Sequence, residues 1–385
     1  MPESGDNVTD DAKPRALYLT AEWPWPPMSG GRNQAARLID LLSEWFDVTV
    51  LAPDRDAAEY PVWSSAVRRV ARRRRSQWRR TIDAAAALVH GRQVLLERMI
   101  RAGAPQAARE VARDVHPRLL ILGRPMFDDF ATAAPGAALL IEANEDLVRA
   151  TRSMALGNVS LRARFVSLVD VAVVGRQQRR NYPRAAAVLV CSPVEQELIA
   201  PFAESARIHV LPNTVDVPCG VTEVRPIHAV AFVGSFGYPP NEAAALELVR
   251  HIMPAVRVLG GPHRATLIGS RPTARIRRLV DHEPDVSLLA DAPSIVEPLR
   301  AAGVLAVPIR HGAGTRVKIL EAIAAGVPVV STRFGIEGLD LEPGKEVLLA
   351  ETPEEFAASI MALQQSFGRR RALIQAARQK VEAKY

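Results

Sequence analysis

Apolar positions fall along the chain in short uninterrupted runs, separated by stretches in which they recur at helical spacing. ALYLT (16–20) and DVTVLAP (47–53) are two such runs; between them GRNQAARLIDLLSEWF places Ala35, Leu38, Leu41, Leu42 and Trp45 on one helical stripe. These periods predict strand, helix, strand, with the Pro/Gly-rich EWPWPPMSGG as the loop that opens the helix. A strand apolar at every position is covered on both faces, which predicts a βαβ unit in a parallel sheet. RLLILG (118–123), ALLIEA (138–143), AAVLVCS (186–192) and IHVLP (208–212) continue the series.

A second series begins after VDVPCGVTEVRPI (215–227), which has no periodicity. AVAFVGS (229–235), RATLIGS (264–270), VSLLA (286–290), AGVLAVPI (302–309) and VPVVST (327–332) alternate with helical patterns at 240–257, 273–281, 293–301 and 315–325. The expected fold class is therefore α/β, two Rossmann-like domains facing each other across a cleft, with sites at the carboxyl ends of the strands. The predicted divisions are a disordered tail at 1–14, a first domain at 15–217, a linker at 218–227 and a second domain at 228–385.

With 385 residues, 48% of them hydrophobic, the chain can bury a large core. Its formal charge, +7 from 49 basic and 42 acidic residues, is mild for this length. The excess is local: RRVARRRRSQWRR (68–80) carries eight arginines around Trp78. A solvated face is the plain reading of such a run; the functional one is contact with an anionic acceptor or, through Arg68 to Arg80, peripheral contact with a membrane surface. Nucleic acid is not expected, because no aromatic stacking series accompanies the arginines. Cys191 and Cys219 form no CxxC pair and join no His cluster, which points to a reducing cytoplasm and no structural zinc. The polar start of the chain is neither signal nor transit peptide, and no run approaches the roughly 18 apolar residues of a membrane span. Nothing in the pattern bears on oligomeric state.

Glycines follow the first strand of each series: Gly30 and Gly31, then Gly234 and Gly237. Neither loop fits the dinucleotide fingerprint GxGxxG or the P-loop GxxxxGK[ST], so neither NAD binding nor ATP hydrolysis is indicated. Either loop can simply be a tight turn. HGAGTRVKILEAIAAG (311–326) is more pointed. Gly312 and Gly314 turn the chain, Thr315 is the expected N-cap, the helix runs to about Ala325, and Gly326 stops it. Arg316 and Lys318 then stand at the end of a helix whose dipole is already positive, which calls for an anion. A diphosphate between the Gly312 to Thr315 amides and the two cations would supply it. Glu321, about one and a half turns on, leans back and can accept hydrogen bonds from ribose hydroxyls. The alternative is a solvated face in which Glu321 pairs with Lys318.

VPIRHGAGTRVKILEAIAAGVPVVSTRFGIEGL resembles the nucleotide-sugar segment of retaining GT-B fold glycosyltransferases, glycosyltransferase family 4. PPMSGGRNQ is similar to that family's first glycine loop, VLPNTVD to its interdomain segment, and AFVGSFGYPPNEAAALELV to the start of its second domain, so the resemblance spans about residues 15 to 385. It implies transfer of a sugar from a nucleoside diphosphate sugar to an acceptor hydroxyl, with retention and without a metal or other cofactor. Arg316 and Lys318 would stabilise the leaving diphosphate. Gly31, Gly234, Ser235, His311, Gly312, Ala313, Gly314, Thr315 and Glu321 would hold the donor, Glu321 as the second carboxylate of the E-x7-E motif. The first carboxylate is missing, because Ala313 stands there, and the loop GSFGYPPNEA lacks the cations the family often has. In IEANEDL (141–147), Glu142, Glu145 and Asp146 cluster after a strand. Glu145 is the favoured contact to the sugar or the acceptor; otherwise these acids merely begin a helix. Two alternatives remain open: a nucleotide-sugar 2-epimerase, and a non-catalytic nucleotide-sugar-binding protein derived from a transferase.

Overall fold

The computed structural model describes residues 13–25, 30–53, 67–70, 86–87, 90, 92–123, 128–156, 161–203, 207–218, 224–292 and 294–385. The predicted tail, up to residue 12, most of the arginine run and Cys219 fall outside them.

The all-apolar first strand does what its composition requires. In β1 (Arg15–Leu19), Ala16 and Tyr18 enter one buried cluster and Leu17 and Leu19 another, on opposite faces of the sheet. With β2 (Asp47–Pro53), β3 (Val67–Val70), β4 (Leu119–Leu122), β5 (Ala138–Asn144), β6 (Ala187–Val190) and β7 (Arg207–Val210) it makes a parallel sheet in the order β3-β2-β1-β4-β5-β6-β7. The helices described with it are α1 (Gly30–Leu42), α2 (Val94–Arg101), α3 (Ala104–Val115), α4 (Leu147–Leu156), α5 (Leu161–Asn181) and α6 (Pro193–Ile199).

The second sheet repeats the plan. β8 (Ala229–Val233), β9 (Arg264–Gly269), β10 (Val286–Ala290), β11 (Gly303–Val307), β12 (Val329–Ser331) and β13 (Leu348–Leu349) are parallel in the order β10-β9-β8-β11-β12-β13. Every residue of β8 and β11 is buried. Its helices are α7 (Pro239–Glu247), which runs through a π turn (Leu248–Ile252) into α8 (Met253–Val258), then α9 (Ala274–His282), α10 (Val296–Ala302), α11 (Val317–Ala324), α12 (Pro353–Gln365) and α13 (Phe367–Lys384). The last helix reaches back to the segment joining the domains: the Tyr385 carbonyl accepts from the Val215 amide at 3.1 Å and Arg378 donates to the Pro218 carbonyl at 3.3 Å. These are two Rossmann-like domains of the GT-B type, facing a cleft.

Both sheets reverse their winding beside the first strand, at β1/β4 and at β8/β11. Ligands on open α/β sheets bind outside the carboxyl ends of strands at such points. In the second sheet that rule brings together the loops after β8 and β11, the two stretches whose glycines stood out in the sequence.

The structure adds strands β3 and β13 to those predicted. β3 reads VRRV, charged in the middle as edge strands often are, and β13 has only two residues. Leu41 and Trp45, placed on the apolar stripe of α1 by spacing, are 40% and 57% exposed, so the buried face is narrower than expected. Among the described residues no helix is long and apolar enough to cross a membrane.

Candidate functional site

The loop from Pro308 to Arg316 leaves β11 and enters α11 with Gly312 at φ +139° and Gly314 at φ +71°, backbone that only glycine adopts freely. The N-cap is Arg316, not the expected Thr315, and α11 begins at Val317. Thr315 is drawn away because Asn213, in the segment between the domains, donates its side-chain amide to the Thr315 hydroxyl.

Arg316 is buried. One guanidinium nitrogen donates to the Gly314 carbonyl, the group lies over the Phe334 ring at 4.4 Å, and Nη2 has no hydrogen-bond partner. Burial lowers its pKa, and Arg149 pushes the same way while Glu337 opposes. Lys318 donates to Asn241 Oδ1 at 2.7 Å and stands 4.5 Å from the centre of the Phe232 ring. Burial first, and the Arg316 charge second, pull its pKa from 10.5 to about 7. Burial pushes the Glu321 carboxyl up to about 7 against the pull of Lys318. Arg316 is buried and the Lys318 ammonium turns to Asn241, which is not the solvated face of the alternative reading, although the Lys318 charge still acts on the Glu321 carboxyl.

The loop after β8 meets these cations directly. A Cβ on Gly234 would sit 3.0 Å from the Lys318 ammonium and 2.8 Å from the Asn241 side chain, so glycine is required for the close approach. The loop has no cation of its own, as expected, yet one arrives from another strand: Arg271, after β9, donates to the Ser235 hydroxyl at 3.1 Å. His311 is half-buried, its Nε2 is enclosed without a hydrogen-bond partner, and burial lowers its pKa. Gly31 lies apart in the first domain, exposed in the first turn of α1, and nothing packs where its Cβ would be.

The acidic cluster after β5 separates into three roles. Glu142 is buried, accepts from the Tyr18 hydroxyl and takes the Asn144 amide at 3.0 Å, which makes it part of the core. Asp146 caps α4, accepting from the Val148 and Arg149 amides at 3.1 and 3.0 Å, and also holds Gln178. The helix-start alternative is right for that residue. Of the three, Glu145 alone faces the glycine loop before α11, with Oε2 2.7 Å from where a Cβ on Gly314 would lie. A bulge between Glu142 and Asn144, with Asn144 at φ +57°, turns the chain so that it does.

Sequence reasoning missed Glu195 as a partner of the loop, as it missed Asn213. Glu195 accepts from the Gly314 amide at 2.9 Å, and burial pushes the thiol of Cys191, beside Thr315, up to about 11. The Gly314 amide, expected at a diphosphate, faces the first domain instead. Across the same cleft Arg149 pairs with Glu337 at 2.6 Å. Among the described residues no group of three His, Cys, Asp or Glu side chains is placed to hold a metal ion.

Residues 227–366 match the family model described as glycosyl transferases group 1. No curated protein matches the chain. Among solved structures, sucrose-phosphate synthase from Thermosynechococcus elongatus is 15% identical with a TM-score of 0.68, over 96% of this chain and 95% of that one. HepE of Anabaena, solved in complex with UDP and glucose, is 14% identical with a TM-score of 0.62, over 97% of this chain and 95% of that one. TarM of S. aureus is 14% identical with a TM-score of 0.58 over 73% of this chain, and the chain spans only 55% of its length.

Proposed function

We propose that the chain moves a sugar from a nucleoside diphosphate sugar to an acceptor hydroxyl with retention of configuration, a reading supported by the match of residues 227–366 to the group 1 glycosyltransferase family model within a GT-B fold. The observation that carries this reading is the pair of enclosed cations, Arg316 and Lys318, at the positive end of α11. Among the described residues neither is matched by a carboxylate in an ion pair, and Arg316 keeps an unpartnered Nη2. Holding two depressed cations together against a helix dipole is costly, and a diphosphate relieves all three terms at once.

In this reading the diphosphate lies against Arg316, Lys318 and the glycine backbone of residues 234 and 312, with Arg271 and Ser235 at its flank. Glu321 takes the ribose hydroxyls. The sugar points toward His311 and Glu145, and the acceptor enters from the first domain. The bond from the anomeric carbon to the phosphate oxygen breaks as the acceptor oxygen attacks from the same face. The acceptor proton passes to the leaving phosphate, whose growing charge the two cations stabilise. Gly314 and Thr315 hold the loop in place and do not contact phosphate, and Gly31 belongs to the acceptor side.

The test is a panel of UDP-, GDP-, ADP- and dTDP-sugars, read by thermal protection, by turnover and by the anomer of the product. Protection by one nucleotide series and a product of retained configuration are expected, with Arg316→Ala weakening nucleoside diphosphate binding at least about tenfold. Silence toward every donor would sink the reading, and release of a 2-epimer without any acceptor would replace it with the epimerase.

A further inference from the structure

Two described helices, α6 and α12, open on a Ser or Thr N-cap with Glu three residues on, and the structure treats the two differently. At Thr352 the box closes: the Thr352 side chain accepts from the Glu355 amide and the Glu355 carboxylate turns back to the Thr352 amide. At Ser192 only half of it forms. The Ser192 hydroxyl accepts from the Glu195 amide at 3.3 Å, but the Glu195 carboxylate leaves its own helix. Its Oε2 accepts from the Asp146 amide at 2.5 Å and its Oε1 from the Gly314 amide at 2.9 Å, across the cleft.

We propose that Glu195 is a positioning residue for the sugar end of the donor site: one buried carboxylate that holds the acceptor-domain turn at Glu145–Asp146 in register with the donor loop at Ala313–Gly314. The proposal rests on the transferase reading above. Asp146 directly follows Glu145, and Gly314 directly follows Ala313, where the family motif would place a sugar-binding carboxylate. Fixing those two amides fixes the gap between the Glu145 carboxylate and the Gly312–Ala313 turn. That gap is where the sugar must lie if the loop itself offers it no acid. The placement is expensive: Glu195 is only 2% exposed, burial and the neighbouring Glu145 charge both disfavour its ionised form, and the two amides, with Arg149, offset only part of this. A glutamate used only for capping would have stayed in its box, as Glu355 does.

The variants are Glu195→Gln and Glu195→Asp, made in the full chain. The amide replaces one acceptor with a donor at constant volume; the aspartate keeps the charge but loses a methylene of reach. Each variant is expected to lose about 10- to 100-fold in kcat/KM for sugar transfer, as displaced reacting groups do. The Kd for the nucleoside diphosphate alone should stay within about threefold of the original, since Arg316, Lys318 and Glu321 are untouched. Wild-type turnover in either folded variant overturns the proposal. So does a fall in nucleoside diphosphate affinity that matches the fall in turnover, and so does melting of both variants below the assay temperature, because each means a general structural role. Failure of the transferase reading is separately visible, since the unmodified chain would then turn over no donor.

Discussion

Lys318 and Glu321 sit one turn apart on α11 with pKa values displaced toward each other, both to about 7. Each displacement records what the fold gives up to keep a charge enclosed where a ligand can use it. For Glu321 the folded value lies above the ordinary 4.5, so its favourable contribution is full below that pH and is lost as pH rises to about 7. Glu321→Gln should therefore melt higher than the original by about 2 °C or more at pH 8, with the gain shrinking to nothing by about pH 4.5. Equal melting at pH 8 would show that the carboxylate is not destabilised by burial. Lys318 gives the converse in binding. An anion beside it restores its proton, so nucleoside diphosphate affinity should fall as pH rises above about 7, and in Lys318→Met that dependence should disappear together with most of the affinity. Titration calorimetry from pH 6 to 9 reads both outcomes.

At the scale of the element, α11 is a helix with cations at both ends. Arg316 and Lys318 oppose the dipole at its start, while Arg378 and Arg300 complement it at its end, donating to the Ala324 carbonyl at 2.9 Å and the Ala325 carbonyl at 3.3 Å. Only the first pair needs a functional explanation. Arg378→Ala, which also releases the Pro218 carbonyl, should lower stability by about 1–2 kcal/mol and leave nucleoside diphosphate affinity unchanged. A loss of affinity would tie the two ends of the helix together. The start of α11 was legible in part because its glycines and cations are contiguous and break local rules, although the cap is Arg316 and not Thr315. Arg378 and Arg300 were not, since what they cap lies 54 and 25 residues away. The same distance hid Glu195, Asn213 and Arg271, which meet the donor loops only through tertiary contact. Glu195 was further disguised, because the local pattern around Ser192 reads as an ordinary cap.

At the scale of the whole molecule, alternating apolar runs specify each sheet, whereas few residues specify how the two domains meet. Asn213 to Thr315, from the segment between the domains, and Glu195 to Gly314, from the first domain, hold the loop that would bind the donor, and Arg149 to Glu337 ties the first domain to the turn after β12 whose Phe334 lies under Arg316. In the proposed reading donor binding and domain contact share residues, so a change in one should appear in the other. Asn213 and Thr315 allow the cleanest test, because both are neutral and neither is among the groups proposed to touch phosphate. Asn213→Ala and Thr315→Val should each raise the donor KM about 3- to 10-fold, the worth of one buried neutral hydrogen bond. The double variant should be no worse than either single one, because all three lack the same bond. Effects that add in the double variant would mean that the two side chains act separately, and that the donor site does not depend on this contact between the domains.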